Sequence, residues 1–197
     1  MLPNLEGEIT INITAFVLAG GFSRRFGSNK ALFPYNGKPF IMYPLQLLSQ
    51  QTESVHIIAK DTEPYAEMEY PVVVDAYEQQ TPLVGILSGL KESRTDWNVF
   101  TACDMPFLTT EVFERLQNNV SPQPENDAIV PVADGQLQPL VAFYRRRLIP
   151  TLRTAIDENL SMKEWLSDLT VKQVKFQDNT PFQNINSKED LHAADHR

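Results

Sequence analysis

The stretch Leu18-Ala19-Gly20-Gly21-Phe22-Ser23-Arg24-Arg25-Phe26-Gly27-Ser28-Asn29-Lys30 joins an apolar, β-branched run, Ile11 to Leu18, to a segment carrying three cations. A run of that kind reads as a buried strand of a parallel sheet, and the cationic segment after it as a βα loop. Glycine is scarce in this chain, eight in 197 residues, yet Gly20, Gly21 and Gly27 all fall in this one place. Adjacent glycines allow positive φ and close backbone approach, so that amide N–H groups can point at anionic oxygens. The loop has neither the Gly-Lys-Ser/Thr ending of a Walker loop nor the spacing of a dinucleotide fingerprint. A cradle for a triphosphate and a surface turn with solvated basic residues both fit these residues.

Outward from this loop, apolar segments alternate in type. Strands are expected at Val55 to Ala59, Pro71 to Val74, Asn98 to Cys103, Ala128 to Val132, Leu137 to Tyr144 and Val171 to Phe176. Helices are expected from Pro39 to about Gln50, from Pro82 to Ser93, from Thr110 to Asn118, over Leu148 to Glu158 and Met162 to Leu169, and from about Lys188. The spacing of Leu83, Ile86, Leu87 and Leu90 is helical, and Pro39 suits the first turn of a helix. Strands alternating with helices of this length predict the α/β class: a mostly parallel sheet with helices on both faces, a three-layer α/β/α sandwich. Residues 1–12 read as an N-terminal extension and residues 13–197 as one domain.

Composition narrows the functions open to such a domain. Seventeen basic against 25 acidic residues leave a net charge of −8, which disfavours nucleic acid as a partner. The single cysteine, Cys103, excludes an internal disulfide and a thiolate metal cluster, and reads as a small buried hydrophobe. No apolar run approaches the roughly 18 to 20 residues that cross a bilayer, and no secretory signal opens the chain, so a cytoplasmic protein away from membranes is expected.

In an open α/β sheet, ligands sit beyond the carboxyl ends of the strands, which gives strand-end residues a functional prior. Asp104 follows one apolar strand and Asp75 another, and the two could face one site. Hard carboxylate oxygens at such a place suit Mg²⁺ shared with substrate phosphates, although strand-end aspartates also cap turns and helices. Gly85, near the start of a helix, implies either a base close to the backbone or close helix–strand packing. Asn184 and Asn186 fall on one side of an extended segment and could bind a polar ligand, or the segment could simply lead into a capped helix at Ser187. The three histidines lack metal-ligand spacing, and Arg145-Arg146-Arg147 reads as a solvated charge run that could also meet an acidic substrate.

Together these motifs resemble the molybdenum cofactor guanylyltransferases. The resemblance is carried in order by Leu18-Ala-Gly-Gly-x-Ser-x-Arg-x-Gly-x-x-Lys30, Pro82-Leu-x-Gly85-Ile, Cys103-Asp104-x-Pro106-Phe107, Gln138-Pro139-Leu140 and Asn184-Ile-Asn186, over roughly residues 13 to 192. Gln138 stands where that family commonly has His, and Met162-Lys163 where it is richer in arginine. The resemblance implies the Rossmann-like sheet of the nucleotide-diphospho-sugar transferases, and transfer of GMP from GTP to molybdopterin with release of pyrophosphate. It implies Lys30 and Asp104 as catalytic residues, with Mg²⁺ held by Asp104. Leu18, Ala19, Gly20, Gly21, Lys30, Asp75, Gly85 and Asp104 would border the nucleotide, and Arg25, Asn184 and Asn186 the acceptor. Molybdoenzymes or other proteins of cofactor biosynthesis would be its protein partners. Two alternatives share the motifs: a related transferase using CTP or a sugar-phosphate acceptor, and a non-catalytic protein that binds or carries the cofactor.

Overall fold

A computed structural model describes residues 11–20, 29–75, 77, 79, 81–123 and 125–185. The first half of the chain forms β1 (Ile13–Leu18), a small hairpin of β2 (Pro34–Tyr35) and β3 (Lys38–Pro39), α1 (Met42–Ser49), β4 (Ser54–Ala59), β5 (Val72–Val74) and α2 (Pro82–Glu92). The second half forms β6 (Trp97–Ala102), α3 (Thr110–Gln117), β7 (Ala128–Ala133), β8 (Gln136–Leu137), β9 (Val141–Arg145), α4 (Ile149–Asp157), α5 (Met162–Ser167) and β10 (Val171–Phe176). The main sheet runs β10-β7-β9-β6-β1-β4-β5, with β8 added to β7.

The expected three-layer α/β/α sandwich is what forms. All six residues of β1 and all six of β6 are buried, as strands covered on both faces must be. Successive side chains of β1 go to opposite faces. Ile13, Ala15 and Val17 join Leu45 and Leu48 of α1 and Val112, Phe113 and Leu116 of α3. Phe16 and Leu18 join Leu83 and Leu87 of α2, Leu152 of α4 and Trp165 of α5.

The order of connection positions the ligand edge. From β1 the chain moves outward through β4 to β5, each parallel to its neighbour, and then returns to lay β6 on the other side of β1. The strand order therefore reverses between β1 and β6, the place where an open α/β sheet leaves a crevice. Leu18 pairs with Ala102 across it, and the Cys103 amide donates to the Leu18 carbonyl at 3.1 Å.

Two expectations change. Pro39 lies in β3, opposite Pro34, and not in a helix; Asn36 and Gly37, at φ 45° and 82°, supply the left-handed pair that a tight hairpin needs, and α1 begins at Met42. The single strand expected over Leu137 to Tyr144 is two strands, parted by Gln138 to Leu140 with Pro139, which has no amide to give a ladder. β9 also runs antiparallel to both neighbours, β6 and β7. Its last residue, Arg145, thus pairs with Trp97 at the start of β6, on the edge away from the crevice.

That reversal explains the three arginines. Arg145 is 3% exposed, pairs with Asp96, lies 4.4 Å over the Trp97 ring, and donates to the carbonyls of Asn126 at 2.9 Å, Ser121 at 2.8 Å and Gln123. Arg146 donates to the Ser93 carbonyl at 2.8 Å, and Arg147 pairs with Asp127 at 2.9 Å. Loop carbonyls with no ladder partner call for several donors at once, which a guanidinium fork supplies. Arg145 is thus a buried clamp on the far loops, while Arg146 and Arg147 are exposed and add bonds to Ser93 and Asp127 at the same margin.

At the opposite margin β10 leaves Lys172, Gln173 and Lys175 exposed, while β5 at the other edge is three residues long. Over the middle of the sheet α2 packs very close. A Cβ built on Gly85 would stand 2.8 Å from Leu18 Cδ2, and one on Gly89 would stand 2.6 Å from Phe100 Cε1 and 2.9 Å from Ile58 Cδ1. Leu18 can turn its side-chain end aside, whereas the buried Phe100 ring has nowhere to go. Gly89→Ala is expected to lower stability by about 1–3 kcal/mol through overpacking, despite the ~1 kcal/mol of helix propensity that Ala brings. Gly85→Ala is expected to cost less; urea midpoints at constant m-value compare the two.

Candidate active site

The site is assembled from four strand ends and one helical turn. At the tip of β1 the Leu18 side chain is buried, Ala19 is half-buried and Gly20 exposed. The Ala19 amide donates to the Ile58 carbonyl at 2.8 Å, which carries the β1–β4 pairing to the very edge. Among the described residues no atom lies within 4 Å of where a Gly20 Cβ would stand. Gly21 and Arg25 lie outside the described residues.

Lys30 opens a single 3₁₀ turn, Lys30–Leu32, capped by Asn29, whose Oδ1 accepts from the Ala31 amide at 3.1 Å. The turn is fastened to the rest of the fold where the Ile41 amide donates to the Ala31 carbonyl at 3.0 Å. From there the Lys30 ammonium reaches across the mouth of the crevice to Asp104 Oδ2 at 2.5 Å. Both side chains are largely shielded, 12% and 15% exposed. Asp104 itself stands two residues past β6, after Cys103 rather than directly at the strand end. Its second carboxylate oxygen, Oδ1, is buried and has no hydrogen-bond partner among the described residues.

The end of the described chain closes over this point. The Ile185 amide donates to the Asp104 carbonyl at 3.2 Å, and the Ile185 side chain is buried against Tyr35 and Phe40. Alternation along this segment leaves Asn184 exposed beside Asp104. Asn186 and the helix expected from Lys188 lie outside the described residues. Cys103 has no part as a nucleophile: burial above all, aided by the neighbouring Asp104 charge, pushes its thiol up to about 12, so it stays protonated.

Asp75 lies on the same edge but apart from Asp104. β5 and β6 are three strand spacings from one another, about 14 Å. The Asp75 carboxylate is engaged by Lys60 at 3.1 Å, by the Tyr77 amide at 3.2 Å and by the Ser88 hydroxyl at 3.5 Å. The two aspartates therefore stand apart along the carboxyl edge of the sheet, each paired with its own lysine. Gly85 is buried, and the Leu18 side chain is what a Cβ there would meet, which gives close helix–strand packing as one reason for glycine.

Three residues of this site escape a sequence reading. Lys60, directly after β4, obeys the strand-end rule and is within its reach. Asn29 and Tyr65 are joined by a hydrogen bond of 3.0 Å across 36 positions of chain, for which periodicity offers no signal.

The Asp104 carboxylate suits a magnesium ion of a particular kind. One oxygen is held by an ammonium, and the other is buried and, among the described residues, unpartnered. Among the described residues no three His, Cys, Asp or Glu side chains converge into a metal cage. A hard cation here would take one carboxylate and complete its shell with phosphate oxygens and water, as Mg²⁺ does in nucleotide sites. Chemically, then, the edge offers backbone without a side chain at Gly20, an ammonium and a carboxylate within one small volume, and a shielded floor.

Residues 15–174 match the MobA-like NTP transferase domain. A Bacillus anthracis protein named "Probable molybdenum cofactor guanylyltransferase" is 36% identical over 188 residues, covering 90% of this chain and 93% of its own. A protein of the same name from Bacillus licheniformis is 33% identical over 185 residues, covering 89% and 92%. Among solved structures, molybdopterin-guanine dinucleotide biosynthesis protein A from Archaeoglobus fulgidus superposes with a TM-score of 0.74 at 23% identity, covering 93% of this chain and 97% of that one. No helix among the described residues is long and apolar enough to cross a membrane. On the length and identity of these matches, the chain belongs to the MobA-like NTP transferase family.

Proposed function

We propose that this protein transfers GMP from GTP to molybdopterin, releasing pyrophosphate and forming molybdopterin guanine dinucleotide. The observation that carries the reading is the Lys30–Asp104 pair at the β1–β6 crevice, with the second Asp104 oxygen buried and, among the described residues, unpartnered. The substrates are supported by the names of relatives that match about nine-tenths of this chain, 89% and 90%.

The acceptor phosphate oxygen attacks the α-phosphorus of GTP in line, a P–O bond forms, and the bond to the β-phosphate oxygen breaks as pyrophosphate leaves. The attacking group is already an anion, so no protein nucleophile and no general base are required. Catalysis reduces to bringing two anions together and balancing the charge that develops between them. Lys30 supplies a positive charge next to the triphosphate, held by a turn whose backbone is braced on the Ile41 amide. Gly20 admits phosphate oxygens to the backbone, since it has no side chain of its own and none of the described residues stands within 4 Å of where a Cβ would be. Asp104 would hold Mg²⁺, which would supply neutralisation of phosphate charge and orientation of the leaving group. Asp75, with Lys60 beside it, borders the nucleoside end, and Asn184 contributes to the acceptor side. The shielding of Lys30 and Asp104 keeps competing water away and strengthens each electrostatic contact.

Asp104→Asn is expected to abolish pyrophosphate release, by at least a hundredfold, with the melting temperature near that of the parent protein. Near-parental turnover of that variant removes Asp104 from the metal site. Lys30→Met is expected to raise the barrier by about 2–3 kcal/mol, read as a fall in kcat/KM of roughly 30- to 150-fold. The substrate assignment is tested by thermal shift with GTP, CTP, ATP and UTP, each with Mg²⁺. A nucleotide at a hundred times its Kd adds about 2.7 kcal/mol to stability, and GTP is expected to give the largest shift. A larger shift with CTP overturns the guanine assignment, and binding of GTP without pyrophosphate release in the presence of molybdopterin overturns the transfer.

A further inference from the structure

We propose that Tyr65 is a positioning residue for the transfer: through Asn29, its hydroxyl fixes the turn from which Lys30 reaches Asp104. The inference rests on the role given to Lys30 above.

Lysine is a flexible residue, with four carbon–carbon torsions to settle before its ammonium has a place. For Lys30 the placement begins at Asn29, whose single side chain is used at both ends. Its Oδ1 accepts from the Ala31 amide at 3.1 Å, and its Nδ2 donates to the Tyr65 hydroxyl at 3.0 Å. The backbone of the turn is then closed by the Leu32 amide on the Asn29 carbonyl and the Phe33 amide on the Lys30 carbonyl, both at 3.1 Å. Asn29 is exposed, so without a fixed partner it would be free to turn into water and release the turn it caps.

Tyr65 is a firm post for that purpose. It ends a 3₁₀ turn, Glu63–Tyr65, that is braced by its own bonds: the Tyr65 amide on the Thr62 carbonyl at 3.0 Å and the Glu63 amide on Asp61 Oδ1 at 3.1 Å. The ring is 2% exposed and belongs to the core cluster that also contains Ala31 and Cys103, the residues that follow Lys30 and precede Asp104. A phenylalanine would fill the same space. What tyrosine adds is one oxygen, aimed at the cap of the Lys30 turn. Burial also pushes the ionisation of this phenol to higher pH than usual, which keeps the hydroxyl neutral and able to hold its hydrogen bond.

The test is a double-mutant cycle on Tyr65→Phe and Lys30→Met, with Asn29→Ala as the connecting variant. Turnover is followed as pyrophosphate release from GTP with Mg²⁺ and molybdopterin, and the melting temperature is recorded for every variant. Tyr65→Phe is expected to lower kcat roughly five- to tenfold, the weight of one hydrogen bond, with KM for GTP within about twofold and the melting temperature little changed. Asn29→Ala, a change at an exposed position, is expected to give the same loss. In the Lys30→Met background neither change is expected to slow the reaction further, because the group they position is gone. Full kcat in Tyr65→Phe while Lys30→Met is impaired overturns the inference and leaves the proposed function standing. An equal loss in both backgrounds also overturns it, since Tyr65 would then act through the fold at large. If Lys30→Met itself loses nothing, the role given to Lys30 falls, and the inference falls with it.

Discussion

An ammonium and a carboxylate from positions 30 and 104 can meet at 2.5 Å only because β1 and β6 are parallel neighbours whose ends are in register. The hydrogen bond from the Cys103 amide to the Leu18 carbonyl fixes where the chain leaves β6, and hence where Asp104 stands. The turn that carries Lys30 is then fastened to the start of α1 and to a core tyrosine. Sheet register thus sets one partner of the ion pair and loop capping the other. Parallel strands are well suited to this, because every loop at the carboxyl edge opens on the same side.

The rest of the architecture serves that edge by staying away from it. β9 runs against its neighbours and delivers the three arginines to the opposite margin, where they bind carbonyls instead of ligand. Without that reversal, three guanidinium groups would crowd a cleft whose chemistry needs one ammonium beside one carboxylate. α2 can lie on the β1 and β4 strands because Gly85 and Gly89 take no room, and this brings Ser88 to the Asp75 carboxylate. Helix packing and site geometry are one arrangement here, which is why Gly85 reads equally well as packing or as function before the Leu18 contact is known.

What the sequence makes legible is what obeys a period or a strand-end rule. β1 and β6 stand out because both faces are apolar, and Asp104 and Gly20 stand out because they follow them. Asn36-Gly37 is a hairpin signal in its own right, but Pro39 two residues on suits a helix start as well, and only the Pro34–Pro39 pairing decides between them. The break at Pro139 hides inside a run of otherwise strand-forming residues. The direction of β9 carries no local signal at all, since it depends on which strands lie either side. The Lys60–Asp75 pair and the Asn29–Tyr65 bond are polar contacts between residues 15 and 36 positions apart, and such contacts become visible only when the fold has closed.

The two margins of the sheet also have a bearing on how the molecule tolerates crowding. A strand from another chain adding itself to β10 would have to dehydrate Lys172 and Lys175 on the way in, a cost that backbone hydrogen bonds do not recover. At the other side β5 offers only three residues of unpaired backbone, too short a template for durable annealing, even though Val74 there is 49% exposed. Among the described residues charge thus guards one flank and brevity the other, two features that disfavour edge-to-edge zipping of copies.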